Sequence, residues 1–125
     1  MSGGVKGDVW ILAEQYEEKL KAVSFELLSR GRSLADKLGA RLCSVLIGPV
    51  LEEETLRELI YRGADEVIAV QDEELRYFCC ETYSGVLETL IREYKPEIIL
   101  AAATSTGRTL MPYTAVKVHA GLTAD

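Results

Sequence analysis

Residues 40–70 read ARLCSVLIGPVLEEETLRELIYRGADEVIAV, and this stretch decides the fold. It contains two apolar runs of strand length, Ala40 to Ile47 and Asp65 to Val70. Continuous apolar runs bounded by Gly or Pro suit strands buried on both faces, as in a parallel sheet. Between them, Glu52 to Arg62 opens on three glutamates, carries Arg57 and Arg62 later and stops at Gly63. That order of charge complements a helix dipole. The expected core face of this helix is Leu56, Leu59 and Ile60. Strand, helix and strand in this order form a βαβ unit.

The same alternation extends in both directions. Asp8 to Ala13 (DVWILA) reads as an earlier strand and Glu97 to Ala103 (EIILAAA) as a later one. Val23, Leu27, Leu34 and Leu38 share one helical face, with Gly39 where a C-terminal cap belongs. Tyr83, Val86, Leu87, Leu90, Ile91 and Tyr94 keep helical spacing, and Pro96 stops that helix. A fourth helix is expected over Gly107 to His119, with Pro112 bending its first turns. The pattern β-α-β-α-β-α-β-α predicts an α/β fold. It is a three-layer α/β/α, doubly wound, mostly parallel sheet. Right-handed crossovers give the strand order 3-2-1-4. The chain stops straight after a helix, where a buried strand is expected. The expectation is therefore a domain over 8–125 lacking its final strand or strands, preceded by a loose leader, 1–7.

The chain has 125 residues, the size of one domain. Apolar residues make up 48% and charged residues 27%, which fits a globular chain rather than a disordered one. The net charge of -6 argues against nucleic-acid and anionic-membrane surfaces. No apolar run approaches the roughly 20 residues of a membrane span. The cysteines are Cys43, Cys79 and Cys80, which is neither a disulfide framework nor zinc spacing. A reducing, cytoplasmic compartment is expected. His119 is the single histidine, so no multi-histidine metal site forms within one chain.

Open parallel sheets bind ligands at the carboxyl ends of strands, where the strand order reverses. In the predicted order that crevice lies between Ala13-Glu14-Gln15 and the segment Thr104-Ser105-Thr106-Gly107-Arg108. The second segment is a candidate anion-binding turn. Its free N–H groups, the helix N-terminus and Arg108 together favour a phosphate. A purely structural role is the alternative: Ser and Thr cap helices, and Arg108 can pair with Glu14. The turn is not a Walker loop, and no G-x-G-x-x-G follows the first strand. No catalytic residue and no metal ligand is assigned. Cys79-Cys80 reads as packing rather than a redox couple, and His119 as a favourable charge at a helix end. Trp10 and Tyr16 read as core and rim.

The stretch Ala101 to Asp125, AAATSTGRTLMPYTAVKVHAGLTAD, closely resembles the first-domain signature of electron-transfer flavoprotein α subunits. The matching residues are Thr104, Ser105, Gly107, Arg108, Leu110, Pro112 and Gly121 to Asp125. VWILAEQ, SFELLSRGRSLADKLGARLCSVLIG, GADEVIAV and YKPEIILAA are similar to the family as well. One departure is Tyr113, where the family often has arginine. The resemblance implies an electron carrier working as an αβ heterodimer with the electron-transfer flavoprotein β subunit. Its FAD passes electrons from dehydrogenases to a quinone reductase or another acceptor. It also implies that the FAD lies in a second domain, so no FAD-binding residue carries over and this chain alone holds no flavin. Its expected role is a scaffold and β-subunit contact. A free-standing nucleotide-binding module of universal-stress-protein type is the alternative, disfavoured because Gly107 stands alone in the turn. With the next strand expected beyond Asp125, the edge of 97–103 is expected to be bare and to drive self-association.

Overall fold

The computed structural model describes residues 8–17, 19–76, 80–101 and 122–124. Its centre is a five-stranded parallel sheet. The strands are β1 (Val9–Leu12), β4 (Leu42–Gly48), β5 (Glu66–Gln71), β6 (Ile98–Ala101) and β7 (Leu122–Ala124). Their order is β5-β4-β1-β6-β7. The first four are the predicted order 3-2-1-4 in place. The apolar runs of β1 and β4 are buried throughout, as a strand with neighbours on both edges and helices on both faces must be.

Among the described residues, three helices cover the sheet. Helix α1 (Ala22–Leu38) follows the first strand, α2 (Glu53–Tyr61) follows β4 and α3 (Cys80–Tyr94) leads into β6. Leu27, Leu28 and Ala35 of α1 and Leu59 of α2 pack with Val9, Ile11, Leu42 and Leu46. Leu87 and Ile91 of α3 pack with Trp10, Leu12, Val45 and Ile99 on the opposite face. Alternate residues of β1 and β4 thus feed two separate cores, which is the three-layer arrangement. Gly39 ends α1 in the left-handed conformation at φ 67°, donating to the carbonyls of Ala35 and Asp36.

Several expectations need correction. The strand expected beyond Asp125 lies within the chain: β7 pairs in parallel with β6, Ile99 opposite Leu122 and Ala101 opposite Ala124. The edge of 97–103 is therefore covered along Ile99 to Ala101, and that basis for self-association falls away. The buried stripe of α1 is Ser24, Leu27, Leu28, Gly31 and Ala35, so Val23, Leu34 and Leu38 flank it rather than centre it. Small residues win the centre because the helix lies close on the sheet. A Cβ on Gly31 would stand 2.7 Å from both Ile11 Cγ2 and Leu42 Cδ1. In α2, Leu59 is buried and Leu56 half-buried, but Ile60 is 43% exposed. Position 60 lies about 100° around the helix from Leu59, past the edge of a contact made by one short helix. Strand β5 is the sheet's edge, and none of its residues is fully buried.

Two elements carry no signal in the hydrophobic pattern. A short antiparallel pair, β2 (Gln15–Tyr16) and β3 (Lys19–Leu20), rises from the end of β1 with Glu17 at φ 50° in its turn. A 3-10 turn, Glu73–Leu75, follows β5, and Asp72 caps it by accepting from the Glu74 N–H. The expected fourth helix, Gly107 to His119, lies outside the described residues.

Candidate functional site

The strand order reverses between β1 and β6, so the carboxyl ends of these strands frame the candidate site. At the end of β1, the Glu14 N–H donates to Ser24 Oγ at 2.8 Å, and that hydroxyl donates back to the Glu14 carbonyl at 2.8 Å. The Lys21 N–H donates to the same carbonyl at 2.9 Å. Lys21 Nζ lies 3.2 Å from Glu14 Oε1, and the Glu14 side chain is only 9% exposed. Ser24 on the first turn of α1 thus locks the path of the chain as it leaves the sheet. The result is a nearly buried carboxylate where comparable folds present groups that attract phosphate.

The neighbouring strand ends are tied together by two glutamines. Gln15 Nε2 donates to the Val50 carbonyl at 3.1 Å, reaching from β1 across to the loop after β4. Gln71 Oε1, at the end of β5, accepts from the Leu51 N–H at 2.8 Å. The Asp72 N–H donates to the Gly48 carbonyl at 3.1 Å. Gly48 makes this closure possible, since a Cβ there would stand 2.7 Å from Gln15 Nε2. The carboxyl ends of β1, β4 and β5 are occupied by the chain's own amides. Sequence reading set Gln15 at the edge of the crevice but gave it no bridging role, and it did not single out Gln71; the only signal was their position, each at the end of an apolar run.

The candidate turn Thr104, Ser105, Thr106, Gly107 and Arg108 lies outside the described residues, as do Cys79 and His119. Trp10 is core, with its ring centroid 6.2 Å from that of Tyr94, and Tyr16 is exposed at the rim. Cys43 is buried in β4. Burial, helped by the nearby Glu66 and Asp8, pushes its thiol up to about 12, so it stays a neutral, inert thiol. No group of three or more His, Cys, Asp or Glu residues among those described could hold a metal ion. No described helix is long and apolar enough to cross a membrane. The surface hollow lined by Glu53, Glu54, Arg57, Glu58, Tyr61 and Arg62 lies along the outer side of α2 alone. It is remote from the β1–β6 switch.

At the opposite end of the sheet, Asp65 clamps three elements. Its Oδ2 accepts from the Leu42 N–H at 2.8 Å and from Arg32 Nη1 at 3.1 Å, joining the starts of β4 and β5 to α1. Burial raises the Asp65 pKa, but the Leu42 N–H and the Arg32 guanidinium outweigh it and hold the carboxyl below its ordinary range.

Residues 9–125 match the electron transfer flavoprotein domain. The chain belongs to that family. It is 45% identical over 118 residues to the acryloyl-CoA reductase electron transfer subunit beta of Anaerotignum propionicum, covering 94% of this chain and 32% of that protein. It is 43% identical to the electron transfer flavoprotein subunit alpha of Clostridium acetobutylicum, covering 94% of this chain and 34% of the relative. The chain therefore spans about a third of the length of these relatives. Among solved structures, the universal stress protein of Archaeoglobus fulgidus superposes with a TM-score of 0.65 over 96% of this chain and 98% of its own, at 11% identity. A universal stress protein solved in complex with cAMP gives 0.62 over 96% of each chain, at 15% identity. At such identities the likeness is one of fold. An electron transfer flavoprotein domain thus shares its layered sheet with stress proteins while closing the ends of β1, β4 and β5 with Glu14, Gln15 and Gln71.

Proposed function

We propose that this chain is the N-terminal α/β domain of an electron-transfer flavoprotein α-type subunit, with its domain body over 8–125. In that setting it acts as a scaffold and as a contact for a β-type subunit in the cytoplasm. The assembled protein carries electrons from dehydrogenases to a quinone reductase or another acceptor through FAD. The observation that carries this reading is the family match over residues 9–125, set beside relatives of which the chain covers only about a third.

The flavin belongs elsewhere in that assembly. A dinucleotide's pyrophosphate needs free N–H groups and positive potential at a strand end. Here the end of β1 offers a nearly buried Glu14 carboxylate and backbone groups already engaged by Ser24 and Lys21. These residues do not fit the group, and no electron-transfer step is assigned to them.

The test is co-expression of the chain with a β-type subunit of the family, followed by gel filtration with detection of bound flavin. A heterodimer containing the chain is expected. The chain alone, incubated with FAD, is expected to elute colourless. Stoichiometric flavin retained by the chain alone would overturn the assignment of the cofactor, and failure to form a complex would overturn the role as a β-subunit contact.

A further inference from the structure

The chain's charge is concentrated on one side of the sheet. Residues 49–76, which comprise α2, β5 and the turn after it, hold nine acidic and three basic residues. The rest of the chain holds eleven of each, so the whole net charge of -6 resides in this one segment. Its centre is β5, the outer strand, whose six residues run without proline or bulge beside β4. The outer edge of such a strand presents unpaired N–H and C=O groups, the template for adding a further strand. Val67, Ile68 and Val70 remain half-buried along it. On the adjoining α2, Ile60 is 43% and Tyr61 82% exposed.

A second copy of this chain is a poor occupant. Antiparallel pairing of two β5 strands over all six residues would set Asp65 opposite Asp72 at both ends, and would bring two surfaces of charge -6 together. A partner bearing lysine or arginine meets the opposite situation. Glu54, in the first turn of α2, and Glu74, in the turn straight after the strand, have no ion-pair partner among the described residues. We propose that the β5 edge receives an extended, positively charged segment of another polypeptide as an added strand. Main-chain hydrogen bonds supply the pairing, and the surrounding carboxylates select the charge.

The test uses the 125-residue chain and two blocked peptides, one alternating lysine with valine and one alternating glutamate with valine. Backbone amide exchange is followed residue by residue. The lysine peptide is expected to slow exchange within 66–71, with an effect that fades as salt rises. The glutamate peptide is expected to leave it unchanged. Ala69→Lys, at an exposed position of β5, should weaken binding of the lysine peptide about tenfold or more by like-charge contact. Glu54→Gln combined with Glu74→Gln should weaken it without altering the fold. Equal protection by both peptides would overturn the proposal, as would protection confined to other strands or none at roughly 1 mM peptide. Protection of 66–71 that grows with protein concentration in the absence of peptide would overturn it in favour of a second copy.

Discussion

Strands β4 and β5 lie side by side over six register pairs, from Cys43 opposite Glu66 to Gly48 opposite Gln71. Both are rich in Val, Ile and Leu or Ala, and both read from the sequence as buried. Every residue of β4 is buried, and none of β5 is. Local pattern sets what a segment becomes, whereas burial depends on where the crossovers place it. Strand β4 has neighbours on both edges, while β5 ends the sheet. The energetic consequences of a substitution should follow that difference and not the residue type.

The largest effect is expected at the centre. Leu46 of β4 is buried in the core beneath α1 and α2. Leu46→Ala should cost about 2–5 kcal/mol, the range for truncating a leucine in a packed core. Val70→Ala in half-buried β5 should cost about 1 kcal/mol, from the methyl groups lost and little cavity. Urea midpoints of the two variants measure the contrast. Equal costs would mean that β5 is covered in solution, which would also bear on its availability to a partner.

Next comes the close approach of α1. Gly31→Ala places a methyl 2.7 Å from Ile11 and Leu42 on the central strands, and should cost about 1–3 kcal/mol through overpacking. Gly85, in α3, has nothing among the described residues within 4 Å of the corresponding position. Gly85→Ala should instead stabilise by about 0.5–1 kcal/mol through helix propensity. The two glycines, identical in sequence terms, should therefore shift thermal midpoints in opposite directions.

These cases show what was legible. Strand order followed from four apolar runs and the handedness of crossovers, and it holds. The face of α1 was misplaced because hydrophobic periodicity weighs Leu34 and Leu38 above Gly31 and Ala35, while close packing favours the small residues. Ile60 was misplaced because one short helix on an edge strand buries a narrow stripe. The β2–β3 pair was invisible because two-residue strands are too short to show a period. The strand beside β6 was sought beyond Asp125 because Leu122-Thr123-Ala124 is too short a run to read as a strand. Of the candidate site, the sequence located the β1–β6 switch but not the closure by Gln15 and Gln71. Side-chain bridges between strand ends leave no pattern in one sequence.

A pH experiment sharpens the comparison at the amino end, where Asp65 joins β4 to β5. The carboxyl is held below its ordinary value of about 3.9 by the Leu42 N–H and Arg32 despite the opposing effect of burial. A depressed folded-state pKa gives stability that is present above the unfolded pKa and is lost as pH falls through the folded one. The wild type should therefore exceed Asp65→Asn in stability at neutral pH, with the gap closing below about pH 4. The gap should be modest because Asp65 is 42% exposed and solvent screens its pairing. Urea titrations at several pH values check both the sign and the window. A gap constant down to strongly acid pH would show that the carboxylate charge plays no part.

The last contrast, between two buried serines with opposite surroundings, ends on the smallest expected change, at Ser44. Ser24 Oγ both accepts from and donates to the Glu14 backbone, so Ser24→Ala strands two groups at the end of β1 and should cost about 1–2 kcal/mol. Ser44 lies in the middle of β4, fully buried, and its hydroxyl has no hydrogen-bond partner among the described residues. It stands between Leu42 and Leu46 on the face toward α1 and α2. Its burial without a bond carries a desolvation cost, and alanine removes the oxygen while keeping the Cβ. The cavity left is smaller than a methyl group's worth of packing, so little contact energy is lost. Ser44→Ala should therefore be neutral or stabilising by up to about 1 kcal/mol, even though it alters the most buried strand of the sheet. A loss of stability on this substitution would show that the hydroxyl holds an internal water. It would then rank with Ser24 as a bonded group, and the centre of β4 would be polar where its neighbours are dry.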